Sequence, residues 1–301
     1  MVTFLAFDKD RSVTGQTTVG TGFVIGAADD LAVVITAKHV LDGVHTIQTP
    51  HARHALSALF VPESQSLPTL DPARLKVIWM GTDSAGPLNV AWASFNRSSD
   101  LALCVVEPQP VAPPPFKPSS VLLDMAVPAV GEVVHMVSID EQSAEELVPP
   151  QKRDGAGQVM RINRRVSIRR GVVTSVHPDG YNQYRWPCFM TTIPAPGGAS
   201  GGYVYVPRDG EPIAACGVVC ADLDPYHPGI DQRQPGSSLV GCSWPAIALR
   251  MPQYVPAPRD APTIAVLDAM KLGNLPSAVG GMDRFSIEAL PDGDYRLRSR
   301  A

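Results

Sequence analysis

The sequence lacks both a long hydrophobic run and a basic leader at its N-terminus. None of its apolar stretches reaches the roughly 18 uninterrupted residues that a membrane-spanning helix needs. Residues 1–10 have no basic region ahead of their short apolar stretch, so we expect no signal peptide. Neither a membrane span nor an export signal is therefore expected.

Cysteine is scarce, and its count is odd. The 301 residues include five cysteines, which are Cys104, Cys188, Cys216, Cys220 and Cys242. An odd number spread thinly over a long chain is not a disulfide framework. Cys216 and Cys220 are close enough to suggest a metal site, but no second close pair of cysteine or histidine completes a tetrahedral set. We expect reduced, buried thiols, a cytoplasmic location, and neither a metal nor a cofactor.

Charge and uninterrupted helical sequence are also in short supply. Charged residues make up 18% of the chain and the net charge is −4, so nucleic-acid binding by bulk positive charge is not expected. The chain contains 30 prolines and 25 glycines, and its proline share of about 10% is twice the usual ~5%. Helical bundles, coiled coils and α-solenoids are therefore excluded.

The sequence instead contains many short β-rich runs separated by turn residues. Residues 20–26 and 31–36 flank a polar turn and predict a β-hairpin. Similar runs occupy residues 76–79, 89–95, 101–106, 131–138, 165–176, 187–193, 202–206, 213–221 and 238–242. Their spacing favours an all-β barrel or sandwich over alternating strands and helices.

A proline-rich segment divides these runs into two groups. Residues 107–118 contain six prolines in twelve positions, which makes them stiff, extended and unsuited to the interior of a sheet. We interpret the segment as a connector between two β-barrels, formed by residues 1–106 and 119–250. A ligand for an SH3-type domain is the alternative interpretation.

Residues 251–301 differ in character and predict a short C-terminal extension packed on the barrels. Residues 263–272 are the best helix candidate, with Gly273 placed to end it. A hairpin is predicted from residues 284–287 and 295–297, turning at Pro291-Asp292-Gly293.

The sharpest motif is the serine-containing segment Gly197-Gly198-Ala199-Ser200-Gly201-Gly202. Glycines around a serine would let backbone amides approach a reacting carbonyl group. The motif also fits the nucleophile elbow of α/β-hydrolases, but that elbow requires a helix after the serine and a catalytic histidine downstream. A strand-like run follows instead, and the only downstream histidine is His227. A glycine-rich turn without chemistry is the remaining alternative.

Two upstream residues complete a catalytic set in chain order. His39 ends an apolar run in Thr36-Ala37-Lys38-His39, and Asp100 begins the apolar run of residues 101–106. Each alone would more often be structural than catalytic. Together with Ser200 they supply histidine, aspartate and serine, with the proline-rich connector between the aspartate and the serine. We expect an active site in a cleft between two barrels.

With these motifs the chain resembles a trypsin-like serine peptidase of the chymotrypsin fold. The resemblance rests on the sequences around His39, Asp100 and Ser200 and on the Gly-Thr-Gly-Phe-Val-Ile run at residues 20–25. It covers roughly residues 12–250 and is closer to bacterial HtrA/Deg-like peptidases, without a PDZ domain, than to secreted digestive enzymes. It implies an all-β fold of two six-stranded antiparallel β-barrels.

The resemblance also implies a role for each residue of the site. Ser200 would be the nucleophile, His39 the general base, and Asp100 the group that orients His39. The backbone N–H groups of Gly198 and Ser200 would form the oxyanion hole. The implied activity is that of a serine endopeptidase acting on protein or peptide substrates, with an unidentified activator as a possible partner. The alternative is a catalytically silent module that holds peptides in the same cleft.

Two features of the sequence concern activation and specificity. Ala199 stands where secreted trypsins carry an aspartate, so their usual zymogen switch cannot operate.

The substrate-binding candidates are Thr192, Pro194, Cys220, Ala221 and Asp222. Pro194 would lie at the base of the specificity pocket and favour a medium-sized apolar P1 residue, whereas Asp222 is a rival source of basic preference. Cys220 would lie under Asp100, and Ala221 and Asp222 would line the substrate backbone.

Overall fold

The structure is a computed structural model of the chain. It describes residues 1–6, 17–28, 31–41, 75–80, 85–95, 99–108, 118–146, 160–181, 184, 186–222, 237–253, 262–289 and 295–299. No helix in these ranges is both long and apolar enough to cross a membrane.

The first six strands close into an antiparallel barrel with the ring order β1-β2-β3-β6-β5-β4. The strands are β1 Val2–Ala6, β2 Thr17–Ala28, β3 Leu31–Ala37, β4 Leu75–Met80, β5 Ala85–Phe95 and β6 Leu101–Pro108. Along β3 every residue after the first is buried, as is every residue of β6 up to Val106. These two strands are continuous apolar runs because packing covers both of their faces.

The next seven strands form the second barrel. They are β7 Leu122–Leu123, β8 Val133–Glu146, β9 Met160–His177, β10 Cys188–Thr191, β11 Tyr203–Tyr205, β12 Ala214–Asp222 and β13 Ser238–Cys242. Six of them close into an antiparallel ring, β11-β8-β9-β10-β13-β12, through the pairing of β11 with β12. β7 adds to this barrel by pairing parallel to β12. The two six-stranded antiparallel barrels expected from the resemblance are therefore confirmed.

The two barrels pack directly against each other. Val137, Tyr203 and Val218 of the second barrel lie in the same hydrophobic cluster as the core of the first. The rings of Phe23 and Tyr203 meet across the interface with their centroids 5.2 Å apart. A separate cluster fills the second barrel itself, around Phe189 and Val204.

After the second barrel the chain returns to the first. Its elements are a 3-10 helix Trp244–Ala248, β14 Arg250–Pro252, β15 Thr263–Ala265, α1 Val266–Lys271, a 3-10 helix Met282–Arg284, β16 Phe285–Ala289 and β17 Tyr295–Ser299. Leu267, Met270 and Leu275 join the hydrophobic cluster of the first barrel. Val279 holds the second barrel through hydrogen bonds with Leu123 and Met125. The segment of residues 262–289 thus contacts both barrels.

The helix predicted for residues 263–272 is shorter than expected. Residues 263–265 form β15, which pairs with β14, and only residues 266–271 are helical. The Arg250 guanidinium donates hydrogen bonds to the hydroxyl and the carbonyl oxygen of Thr263 at 2.8 Å each, and β-branched residues suit an extended backbone. Gly273, with a φ of 77°, follows the helix as predicted. The hairpin of β16 and β17 is also present, but its turn lies outside the described residues, as does most of the connector.

Candidate active site

His39 and Asp100 form a hydrogen-bonded pair at one end of the first barrel. The His39 Nδ1 atom lies 2.7 Å from Asp100 Oδ2, and the His39 backbone N–H donates to Asp100 Oδ1 at 3.0 Å. A carboxylate only accepts hydrogen bonds, so Nδ1 carries the proton and Nε2 is the unprotonated ring nitrogen. Asp100 is buried, with 5% of its side chain exposed, whereas 41% of the His39 side chain is exposed. The imidazole is thus anchored on one side and accessible on the other.

The pairing of β3 with β6 places these two residues together. Ala37, the last residue of β3, lies opposite Leu101, the first residue of β6. Residues 38–41 turn into a short helical segment after β3, and the Lys38 N–H donates to the Asp100 carbonyl at 3.0 Å. Because neighbouring antiparallel strands end and begin at the same edge, the histidine after β3 meets the aspartate before β6.

Ser200 lies in the loop between β10 and β11 of the second barrel. A turn comes immediately before the serine, and in it the Ala199 N–H donates to the Pro196 carbonyl at 3.0 Å. Gly198 occupies the third position of this turn with a φ of 90°, which is typical of a type II turn and favours glycine. The Ala199 methyl group is fully buried in the core of the second barrel. Ser200 therefore directly follows a sharp turn, and the buried methyl group of Ala199 anchors that turn in the core of the second barrel.

The Ser200 loop lies against β2, next to the segment that carries His39. The Ser200 carbonyl accepts a hydrogen bond of 2.7 Å from the Thr21 N–H. A Cβ atom on Gly20 would overlap the Val40 side chain and lie 2.8 Å from the Ser200 carbonyl oxygen. Because Gly20 has no side chain, Val40, which follows His39, and the Ser200 backbone can both pack against β2 at this residue.

The backbone N–H groups of Gly198 and Ser200 are available to donate hydrogen bonds to a ligand. Within the described part of the chain, neither N–H has a hydrogen-bond acceptor. The peptide groups around them are fixed, because the Ala199 carbonyl accepts from Gly202 N–H at 2.9 Å and the Gly201 N–H donates to Val219 at 2.8 Å. Since the C=O and N–H of one peptide point in opposite directions, the bonded Ala199 carbonyl turns the Ser200 N–H away from Gly202.

Cys220 lies beneath the carboxylate of Asp100. Burial raises the pKa of its thiol well above the ordinary value, and the neighbouring Asp100 carboxylate raises the pKa further. The Sγ atom contacts the position that a Cβ on Gly241 would occupy, at 3.0 Å, so the absence of a side chain at residue 241 leaves room for the thiol. A buried, neutral thiol therefore packs against the side chain of Asp100.

The remaining substrate-binding candidates lie at the end of β12 (Ala221 and Asp222) and in the loop directly after β10 (Thr192 and Pro194). Ser238 pairs with Thr191 on one side and with Asp222 on the other, and its hydroxyl lies 2.7 Å from the Thr191 hydroxyl. Thr192 is exposed, and its hydroxyl accepts from the Val172 N–H at 3.1 Å. Pro194 is also exposed. The side chains of Ala221 and Asp222 lie outside the described residues.

Sequence reasoning missed two threonines that join the motifs together. The Thr21 hydroxyl donates to the Gly198 carbonyl at 2.8 Å, and the Thr36 hydroxyl donates to the Thr21 carbonyl at 2.6 Å. Both residues are fully buried. The signal for Thr21 was its place between Gly20 and Gly22, because two glycines around one polar residue indicate a close approach of another backbone.

Two antiparallel barrels, with a histidine–aspartate pair on one and a glycine-flanked serine loop from the other, define the chymotrypsin-like class. The sequence model of the trypsin-like peptidase domain matches residues 20–214. The chain belongs to this family of trypsin-like peptidase domains.

Comparison with solved structures gives matches to the Rv3671c protease from M. tuberculosis. Its active form is 17% identical, with a TM-score of 0.40, over 80% of this chain and 75% of that chain. An inactive-form mutant is 18% identical, with a TM-score of 0.39, over 80% of each chain. Comparison with curated proteins gives no significant match.

Proposed function

We propose that this trypsin-like peptidase is a serine endopeptidase that acts through His39, Asp100 and Ser200. Ser200 Oγ attacks the carbonyl carbon of the scissile peptide bond while His39 Nε2 takes the hydroxyl proton. The C–N bond then breaks, the proton passes from His39 to the leaving amine, and the acyl group stays on Ser200. Water, deprotonated by the same imidazole, releases the acyl group and restores the serine.

The observation that carries this proposal is the 2.7 Å contact between His39 Nδ1 and Asp100 Oδ2 beside a serine loop whose amides are open. Asp100 fixes the tautomer that leaves Nε2 able to accept a proton. The N–H groups of Gly198 and Ser200 are the proposed donors to the oxyanion, and each such donor contributes on the order of 10²- to 10³-fold to kcat. A silent peptide-binding module would need neither the buried acid nor these amides.

A fluorophosphonate probe tests the proposal directly. Purified protein is treated with the probe over a range of pH values, next to Ser200→Ala and His39→Ala variants checked for folding by circular dichroism. We expect labelling of the native protein, none of Ser200→Ala, and strongly slowed labelling of His39→Ala. A folded native protein that is not labelled at any pH would overturn the proposal and favour the binding module.

We further propose protein or peptide substrates with a medium-sized apolar P1 residue. Pro194 supports this preference because it is apolar and stands at the predicted base of the pocket, while Asp222 is the competing source of basic preference. Profiling the new N-termini that the native enzyme produces in a proteome, against Ser200→Ala, would report the P1 residue. A strong excess of Arg or Lys at P1 would contradict the apolar preference.

A reducing, cytoplasmic compartment is proposed from the cysteines. All five are free and buried, so the chain relies on no disulfide bond of its own. Recovery of the tagged protein from an oxidising compartment would contradict this location.

We also propose that an unidentified regulatory partner restrains the activity of the peptidase. Pull-downs with Ser200→Ala test this by looking for a bound inhibitory or activating protein.

A further inference from the structure

Thr21 is the residue through which the first barrel holds the nucleophile loop. It is fully buried in β2, and its N–H donates to the Ser200 carbonyl at 2.7 Å. Its hydroxyl donates to the Gly198 carbonyl at 2.8 Å. One residue of the first barrel therefore holds the carbonyl groups on both sides of the peptide that joins Ala199 to Ser200.

The direction of the Thr21 hydroxyl is fixed by a third partner. The Ile139 N–H, on β8, donates to Thr21 Oγ1 at 3.2 Å. An amide N–H can only donate, so the hydroxyl oxygen accepts there and its single proton is left for the Gly198 carbonyl. The Thr36 hydroxyl binds the Thr21 carbonyl at 2.6 Å and fixes the backbone of Thr21 itself.

The hydrogen bond from Thr21 restricts the backbone conformation of Gly198, which has no side chain to restrict it. Glycine rotates with little steric restriction, and Gly198 adopts a φ of 90°. The peptide between Gly198 and Ala199 is fixed at both ends, since its C=O accepts from Thr21 and its N–H donates to Pro196. Rotation of this peptide would alter the backbone of Gly198 and turn the adjoining Gly198 N–H out of line.

We propose that the Thr21 hydroxyl is a positioning group for the oxyanion hole, one that keeps the Gly198 N–H aimed at the reacting oxygen. This inference rests on the proposed peptidase function. Thr21 does not touch the substrate, and it acts through the peptide group that it holds. Its removal should weaken the stabilisation of the transition state while leaving binding of the ground state nearly unchanged.

Thr21→Val and Thr21→Ser separate this role from a packing role. Valine keeps the shape of threonine and removes the hydroxyl, whereas serine keeps the hydroxyl. With p-nitrophenyl acetate as the probe substrate, we expect kcat of Thr21→Val to fall about 10- to 100-fold, less than the full loss of a donor. KM should change less than about threefold, and Thr21→Ser should retain most of the native kcat.

Phenylboronic acid provides a readout that a structural role would not move. It forms a tetrahedral adduct on the nucleophilic serine, so its inhibition constant should rise in Thr21→Val by about the same factor as kcat/KM falls. The matched control is Thr3→Val. Thr3 is equally buried, and its hydroxyl donates to the Gly20 carbonyl at 3.3 Å without contacting the loop. Thr3→Val should keep the native kcat and the native affinity for phenylboronic acid.

The outcomes distinguish this inference from the proposed function. If native protein and Thr3→Val neither react with the fluorophosphonate nor cleave the ester, the peptidase function fails and the inference falls with it. If they are active and a folded Thr21→Val has the native kcat, or Thr21→Ser is as slow as Thr21→Val, the inference alone is overturned. Should Thr21→Val not fold, Thr21→Cys replaces it. A thiol is a poor hydrogen-bond donor, and an undiminished kcat in that variant would equally overturn the inference.

Discussion

At the scale of single residues, the carboxylate of Asp100 does more than carry charge. It holds His39 at two atoms, through the imidazole Nδ1 and through the backbone N–H. One oxygen therefore sets the tautomer and the other sets the position of the residue. An uncharged replacement of the same shape can keep the second contact and lose the first.

Asp100→Asn should lower kcat by about 10⁴-fold, the effect of the same change in the chymotrypsin-type triad. The amide nitrogen would donate to Nδ1 and force the proton onto Nε2, where it blocks proton transfer from Ser200. The measurement is the turnover of p-nitrophenyl acetate, combined with the free energy of unfolding.

Asp124→Asn is the matched control for this prediction. Asp124 is another buried aspartate, which directly follows β7 and pairs with Arg208 at 2.9 Å. Its replacement should cost stability and leave kcat near the native value. A kcat loss of equal size in both variants would show that Asp100 acts through stability alone.

At the scale of secondary-structure elements, most strands of the two barrels could be predicted from the sequence, whereas β1 and β15 could not. Apolar runs such as residues 31–36 and 101–106 form strands because barrel packing buries them on both faces. β1 was not predicted, because a short apolar run of five residues does not by itself distinguish a strand from another short apolar segment. The pattern of residues 263–272 predicts a helix where β15 forms, because the pairing with β14 and the bonds from Arg250, 13 residues away, are not visible in the local sequence.

The site shows the same division between local and tertiary information. His39, Asp100 and Ser200 could be proposed from short motifs and their order along the chain. The role of Thr21 could not, because its partners Gly198 and Ile139 are 177 and 118 residues away. Gly20 and Gly22 indicate a close approach of another backbone to Thr21, but the sequence does not show which backbone it is.

The segment that follows α1 gives a prediction at this scale. Leu275 is 5% exposed and packs over Gly26 of β2, whereas Leu272 is 69% exposed. Leu275→Ala should reduce the free energy of unfolding by about 2–5 kcal/mol, because it opens a cavity in a packed core. Leu272→Ala should change it by less than about 0.5 kcal/mol.

Urea denaturation followed by tryptophan fluorescence compares the two leucine variants at one pH. Losses of equal size would contradict the packing of this segment on the first barrel. A loss confined to Leu275→Ala would show that residues after α1 contribute to the stability of a barrel completed more than 150 residues earlier in the sequence.

At the scale of the whole molecule, buried thiols link stability to pH. Burial raises the pKa of Cys104 from 9.0 to about 12 and that of Cys188 from 9.0 to about 11. Burial also raises the pKa of the other three cysteines. In the unfolded chain these thiols ionise near their ordinary pKa, so above it the unfolded state loses protons that the folded state retains.

The free energy of unfolding should therefore be fully retained below about pH 9 and should fall as the pH rises from 9 toward 12. The contribution of one fully buried thiol is about 1.4 kcal/mol per pH unit in this window. Urea denaturation at several pH values between 8 and 11 measures the slope. Cys104→Ala should show a slope smaller by the share of one thiol, whatever its stability at pH 8, and an unchanged slope would contradict the prediction.

The return of residues 262–289 to the first barrel has a consequence for the order of events during synthesis. The residues of the first barrel emerge from the ribosome well before Leu267, Met270 and Leu275 are made. These three residues help to fill the core of that barrel. Domains generally fold as they emerge, but this one emerges with part of its core still to be translated. We therefore expect the first barrel, which carries His39 and Asp100, to reach its final packing only after residues 262–289 have been made. The proposed site would therefore be complete only in chains that have been translated beyond residue 289.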